Sequence, residues 1–339
     1  MSMTSRERVQ AALRGDAVDR PPVSFWGHFY ERESTARELV DATLAAQRQY
    51  GWDWVKLNPR RQYHAEPWGV RWRYTGKPAE KPVIEEWPIH GPDDWAAITP
   101  RPYDRGAFAE QIEAVRLLRA GLPAEVPILQ TLFSPLAVLR EMVREPAEVR
   151  SHLRSHPDRV RGALEAVTAT LTPLARAFLD AGADGLYFAT VDWASLDMLT
   201  AEEYRLWGRP YDLRVLAAAR GAWFNVLHVC KRRNLLFELR DYPVAAFSWA
   251  ATDPLNPTLA DGLRELKGAV MGGITHDELA TRPDPEFFVS EYQRGLEQTG
   301  GRRWLVAPGC SIPPTTPAGH LRAVKDAVEA TRLIPERSR

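Results

Sequence analysis

The sequence predicts an α/β protein, a single (β/α)8 TIM barrel over residues 1–339 with an N-terminal helix and a loop-rich insertion at 58–105 after the second strand. Two observations predict it. Eight short apolar segments alternate with helical stretches, and eight repeats favour a closed barrel over an open doubly wound sheet. The distinctive polar residues fall just after those segments, where barrel chemistry sits. A length of 339 residues is compatible with one such domain.

In chain order, Thr4-x-x-Glu7 is a capping box followed by Val9, Ala12 and Leu13 at helical spacing and closed by Gly15; this first helix reads as a lid or flank. A strand at 22–26, a helix at 36–50 and a strand at 54–57 follow. Residues 58–105, with Trp68, Trp72, Pro82, Trp87, Pro88, Pro92 and Pro100, show no helical period and many breakers. Beyond them the alternation is regular. Strands are predicted at 126–130, 185–188, 223–228, 245–249, 269–272 and 304–307. Helices are predicted at 136–143, 157–179 (introduced by Ser155-x-x-Asp158), 200–220 (capped by Thr200-x-x-Glu203), 231–240, 259–266 and 283–298, with a last one from Thr316-Pro317 to about 334.

Composition limits the function classes. Lysine plus arginine (44) balances aspartate plus glutamate (44), and no like-charge block reads as a tail for nucleic acid or anionic lipid, so a small-molecule or protein partner is expected. The first residues mix both charge signs where a signal peptide needs an apolar core, and no apolar run is long enough to span a bilayer. The chain reads as soluble and cytoplasmic. Two cysteines, Cys230 and Cys310, are too few for a disulfide framework. The oligomeric state stays open.

The loops after the strands hold the candidate site: Trp26-Gly27-His28, Asn58 through Tyr63 and His64, Phe133-Ser134, Asp192-Trp193, His228 through Arg233, Thr252-Asp253, Gly273 through Asp277, and Pro308 through Pro314. Side chains alternate along a strand, so His228 and Cys230 point to one side while Val229 faces away, forming half of a ligand set. Cys310, at the equivalent end of the last strand, is the candidate third member. One histidine and two thiolates suit Zn2+, and three protein ligands leave a tetrahedral position for substrate. Zinc there would hold a substrate thiol as thiolate at neutral pH. By spacing alone, H-x-C is a weak motif, and buried small cysteines with a hydrogen-bonded core histidine are the favoured reading. His28, Tyr63, His64, Trp193 and His276 are candidates to shape or protonate the substrate. Asp192 is a candidate to hold a substrate amine or orient a zinc ligand. Asp192 and His276 are the candidate catalytic groups. Trp26, Phe133, Phe188, Trp223 and Trp249 read as core or pocket wall.

The chain resembles the uroporphyrinogen decarboxylase superfamily over nearly its whole length. Arg6-Glu7-Arg8-Val9, Ala12-Leu13-Arg14-Gly15 and Asp19-Arg20-Pro21-Pro22 resemble its opening, Phe133-Ser134-Pro135 its third-strand loop, and Ala181-Gly182-Ala183-Asp184 with Asp192-Trp193-Ala194 its fourth. His228-x-Cys230 and Gly309-Cys310-x-Ile312-Pro313-Pro314 resemble the zinc motifs of its methyltransferase branch, which moves a methyl group between a corrinoid protein and a thiol such as coenzyme M, and of cobalamin-independent methionine synthases. The resemblance implies Zn2+ on His228, Cys230 and Cys310, with Asp253 as the fourth ligand when substrate is absent. It also implies a small thiol substrate and a separate corrinoid protein, since no Asp-x-His-x-x-Gly corrinoid signature occurs.

The superfamily's metal-free decarboxylases are the alternative. They bind substrate carboxylates with an N-terminal arginine segment, whereas this chain reads Val23-Ser24-Phe25-Trp26-Gly27-His28-Phe29-Tyr30, and they place histidine where this chain has Cys310. A non-catalytic corrinoid or tetrapyrrole carrier is a further reading. The methyltransferases usually follow H-x-C with glycine and asparagine; here Lys231-Arg232-Arg233 puts three cations at the start of a predicted helix, either to bind an acidic group, Lys231 foremost, or as a solvated face.

Overall fold

The computed structural model describes residues 2–333. α1 (Ser5–Arg14) begins where Thr4 accepts from the Glu7 N–H and Glu7 answers to the Thr4 backbone, and it ends on left-handed Gly15. Such a cap is worth about 1 kcal/mol. α1 is not a lid: Val9 is fully buried with Trp54, Val226, Leu305 and other residues of the sheet interior. α2 (Ala36–Tyr50), capped by Thr35 and closed by Gly51, leads into β1 (Val55–Leu57).

The segment 58–105 is more structured than its breakers suggested. It carries short 3-10 turns at Arg61–His64, Glu66–Trp68 and Pro92–Ala97, and an antiparallel pair, β2 (Arg71–Arg73) with β3 (Val83–Glu86). α3 (Gly106–Gly121) follows, a helix the sequence reading lacked, although its buried Phe108, Ile112, Val115 and Leu118 keep helical spacing. β4 (Ile128–Phe133), α4 (Pro135–Glu141), α5 (Pro146–Ser155, also unanticipated) and α6 (Pro157–Asp180) come next. The Ser155 hydroxyl does not cap α6; it donates to the Ser151 carbonyl instead.

After β5 (Gly185–Ala189), the helix predicted at 200–220 is two helices, α7 (Ala201–Trp207) and α8 (Arg209–Ala218). Pro210, in the first turn of α8, has no N–H to continue the earlier helix. β6 (Val226–His228), β7 (Ala246–Ser248), α9 (Leu259–Glu265), β8 (Ala269–Ile274), α10 (Glu286–Thr299), β9 (Trp304–Pro308) and α11 (Ala318–Ala330) complete the order. Pro317, not Thr316, is the residue preceding α11, and the helix ends at Ala330, short of the expected end near 334: residues 331–333 are not helical, and 334 lies outside the described residues.

Seven strands form one parallel sheet in the order β1-β4-β5-β6-β7-β8-β9. The predicted first strand is reduced to a bridge: Ser24 N–H donates to the Val306 carbonyl and Val306 N–H to the Pro22 carbonyl, while Asp53 N–H donates to the Val23 carbonyl. The sheet is curled, so alternate side chains meet on its concave side. Val226, Ala246, Ala269, Met271 and Leu305 fill the interior, and helices cover Ile128, Leu186, Leu227 and Val270 on the convex side. No helix among the described residues is long and apolar enough to cross a membrane.

Candidate metal centre

The register Ala189↔His228↔Ser248 puts His228 at the C-terminal edge of β6, level with the ends of its neighbours. The chain just beyond is held from both flanks: Thr190 N–H donates to the His228 carbonyl and Val229 N–H to the Ser248 carbonyl. Cys230 therefore keeps the parity of His228. On β9, Gly309 N–H donates to the Ile274 carbonyl, and a Cβ at Gly309 would stand 2.7 Å from the Ala250 Cα and 3.2 Å from His276 Nδ1. Only glycine lets the chain pass there and turn Cys310 inward. Ile312, joined to Trp26 and Gly27, anchors the far side of this turn.

His228, Cys230 and Cys310 converge, with one ligand atom from each lying within 4.8 Å of the others. The two sulfurs are 3.8 Å apart. Two thiolates at about 2.3 Å from a common tetrahedral ion sit about 3.8 Å from each other, so the pair is already spaced for zinc. His228 Nδ1 shares a hydrogen bond of 3.1 Å with Ser248 Oγ, itself 3.0 Å from the Tyr187 hydroxyl. The other nitrogen, Nε2, is buried and makes no hydrogen bond to the described residues. A buried polar atom left unpaired beside two thiols is what a metal ligand looks like with its second shell in place. The thiols are unequal. The hydrogen bond the two thiols share pushes Cys230 well up and, with His228 alongside, holds Cys310 well below the usual thiol range.

The three side chains open into a cavity of about 620 Å³. Its lining carries six lysines and arginines (Lys56, Arg61, Lys81, Arg140, Arg144, Lys231) against four carboxylates (Glu33, Glu141, Asp192, Asp277). Trp26 forms part of the wall with its ring edge-on to Tyr187 at 5.4 Å. His28 also lines it, with Nδ1 2.9 Å from the Glu33 carboxylate. Phe133 stacks on His64 at 3.8 Å, and both face the cavity. His64 accepts from the Phe133 N–H through Nε2 and donates from Nδ1 to the Arg61 carbonyl; burial pulls it down to about 3, so it stays neutral. A ring with both nitrogens engaged by backbone cannot shuttle protons. His276 lines the cavity beside Gly309 and Cys310. Asp192 is 3.3 Å from Lys231 Nζ and 3.7 Å from Arg140; the residue that orients His228 is Ser248, not Asp192.

Other expected site residues lie elsewhere. Tyr63 is fully buried behind the wall and donates to the Thr131 carbonyl. Phe188 and Trp249, read as core or pocket wall, are core: they point to the convex side under the helices, because their strands present Tyr187 and Ser248 inward. Trp193 is buried in the same outer core. Asp253 is not among the converging ligand atoms: its carboxylate receives Arg232 Nε at 2.6 Å and the Leu255 N–H at 2.9 Å. The predicted helix at 231–240 is a loop ending in a 3-10 turn at Leu236–Leu239. Its carbonyls are engaged outside: Asn256 donates to Lys231, Ser195 to Arg232 and the Leu196 N–H to Arg233, and Lys231 and Arg233 have positive φ. Of the three cations only Lys231 reaches the cavity; Arg232 pairs with Asp253 and Arg233 with Asp197.

The sequence reading missed Lys56. It is buried on the concave side, donates to Asn58, and burial pulls its amine down to about 7. The signal was a lysine in the middle of the apolar strand Trp54-Val55-Lys56-Leu57. Arg61, in the loop after the second predicted strand, is bidentate on buried Glu141. A second cavity of about 380 Å³, between α2 and the 25–32 and 312–316 segments, shares Trp26, His28, Lys56 and Asn58 with the first and contains none of the three ligand residues.

Comparison with known proteins places the chain in a family. The chain is 22% identical over 337 residues to the methylcobamide:CoM methyltransferase MtaA of Methanosarcina barkeri, covering 95% of this chain and 96% of the relative. It is 24% identical over 371 residues to the uroporphyrinogen decarboxylase of Alkalilimnicola ehrlichii, covering 97% and 94%. A solved methyltransferase from Methanosarcina mazei superposes with a TM-score of 0.81 at 20% identity over 97% of this chain and 99% of that one, which shows the shared fold. Residues 4–331 match the family described as uroporphyrinogen decarboxylase (URO-D), and the chain belongs to it.

Proposed function

We propose that this URO-D family protein is a single-domain TIM-barrel methyltransferase that binds Zn2+ on His228, Cys230 and Cys310 and transfers a methyl group from a corrinoid carried by a separate protein to a small thiol. In this reading the segment 22–24 is the eighth strand position, and the reduced cysteines fit a cytoplasmic setting. The observation that carries the proposal is the convergence of the two thiols on a histidine whose Nε2 has no partner. The methyltransferase names of relatives support the transfer, and MtaA's name supports a thiol such as coenzyme M as acceptor.

Zn2+ bound there supplies the Lewis acidity that keeps a thiol deprotonated near neutral pH. The protein's own groups do the rest. Ser248, fixed by Tyr187, holds the His228 ring so that Nε2 faces the two sulfurs. His276, beside Cys310, is placed to receive the thiol proton. Asp192 holds Lys231 at the rim. Trp26, Tyr187 and Phe133 exclude water around a methyl group. The sulfur attacks the methyl carbon, a carbon–sulfur bond forms, and the pair of the broken bond stays with the carrier.

The surplus of cations and the decarboxylase name of one relative favour a second reading, metal-free decarboxylation of an acidic tetrapyrrole. Elemental analysis separates the two. The purified wild type is expected to hold about one zinc per chain and Cys230→Ala and Cys310→Ala to lose it, together with methylation of coenzyme M by methylcobalamin. A zinc-free active wild type, or unchanged metal in both variants, overturns the proposal.

A further inference from the structure

Lys56 occupies the middle of β1 with 6% of its surface exposed, in the wall common to both cavities. One of its three N–H donors goes to Asn58 Oδ1; the ammonium otherwise lies 4.5 Å from the Tyr187 ring and 5.5 Å from the Trp26 ring. No carboxylate pairs with it among the described residues. The neighbouring acids are engaged elsewhere: Glu33 by His28 and the Phe29 N–H, Glu141 by Arg61, Asp192 by Lys231 and Arg140. Ring faces soften a buried cation's desolvation but do not neutralise it. Of the other cavity cations without an acidic partner among the described residues, Lys81 and Arg144 are exposed, where water satisfies them, and Arg144 stacks on Trp87 at 5.2 Å.

We infer that Lys56 is the residue that binds an acid group of the cavity's ligand, a carboxylate or sulfonate, supplying the missing counter-ion. The Tyr187 ring touches both ends of this wall, 4.5 Å from the Lys56 ammonium and 5.1 Å from the His228 ring. A ligand that engages both ends therefore carries its acid a few bonds from its sulfur. This rests on the thiol reading above. It also removes the anion-binding role from 231–233, whose side chains are paired with Asp192, Asp253 and Asp197.

The test uses the zinc-loaded full chain, with 3-mercaptopropionate and 3-mercapto-1-propanol compared by calorimetry, and propionate as a sulfur-free probe. The wild type is expected to prefer the acid thiol by at least about tenfold, the range of a charge-assisted hydrogen bond. In Lys56→Met the ratio of the two dissociation constants falls to about one, and in Lys56→Arg part of the preference returns. A wild-type ratio near one, or an unchanged ratio in Lys56→Met, overturns the inference. Cobalt-substituted protein separates the two claims. If neither thiol perturbs its absorption but propionate binds in a Lys56-dependent way, the thiol reading fails and the Lys56 assignment stands; thiol perturbation without acid preference is the converse.

Discussion

Two walls of one cavity meet the ligand with opposite chemistry. The wall from β6 and β9 presents soft donors, with Cys230 and Cys310 hydrogen-bonded to each other and His228 Nε2 making no hydrogen bond to the described residues outside this cluster. The wall from β1 and the segment after it presents hard charges: Arg61 is balanced by Glu141 and His28 by Glu33, Lys81 is exposed to water, and Lys56 is buried with no carboxylate partner among the described residues. Groups whose neighbours satisfy them shape the space, and groups left unsatisfied mark where a ligand or ion is held.

Three substitutions sharpen or break that contrast. Ser248→Ala removes the group that fixes the His228 ring, and is expected to weaken zinc binding about 10- to 100-fold in competition with a chromophoric chelator. Unchanged affinity would show that the soft wall does not depend on its second shell. On the hard wall, His64 is held neutral, its value lowered from 6.5 to about 3 by burial. A histidine depressed in the native state contributes stability that is whole above its unfolded value near 6.5 and is lost as pH falls through about 3. Denaturant titrations from pH 7 to 3 should therefore show wild type losing more stability than His64→Gln across that interval, and parallel curves would contradict the neutral assignment. The smallest effect is expected at Asp253→Asn. Its partner Arg232 is well exposed, so zinc content should stay at the wild-type level and stability should change by no more than about 1 kcal/mol. Loss of zinc in this variant would restore Asp253 as a ligand.

Much of the site was legible before folding, for reasons that hold residue by residue. Strand parity alone put His228 and Cys230 on one side. The same rule did not say which side of the 185–188 strand faces in, because a parallel sheet covered on its convex face is apolar on both, and so Phe188 was placed in the pocket where Tyr187 stands. Lys56 was visible as an ionic residue inside an apolar strand, a local conflict of the kind that marks function. The loop at 231–235 was not legible, because its helical composition is overridden by hydrogen bonds from Ser195, Leu196 and Asn256, all far along the chain.

The sequence by itself determined the order of the seven sheet strands, the capped starts of α1 and α7, and the donor types at His228, Cys230 and Cys310, because these depend on local spacing and side-chain chemistry. Tertiary structure decided which donors meet. Cys310 reaches Cys230 across 80 residues only because β9 passes close over Ala250 at Gly309. Asp253 turns to Arg232, and Lys56 is left without a counter-ion, because charge pairing follows distance in space and burial, neither of which is written in the order of residues.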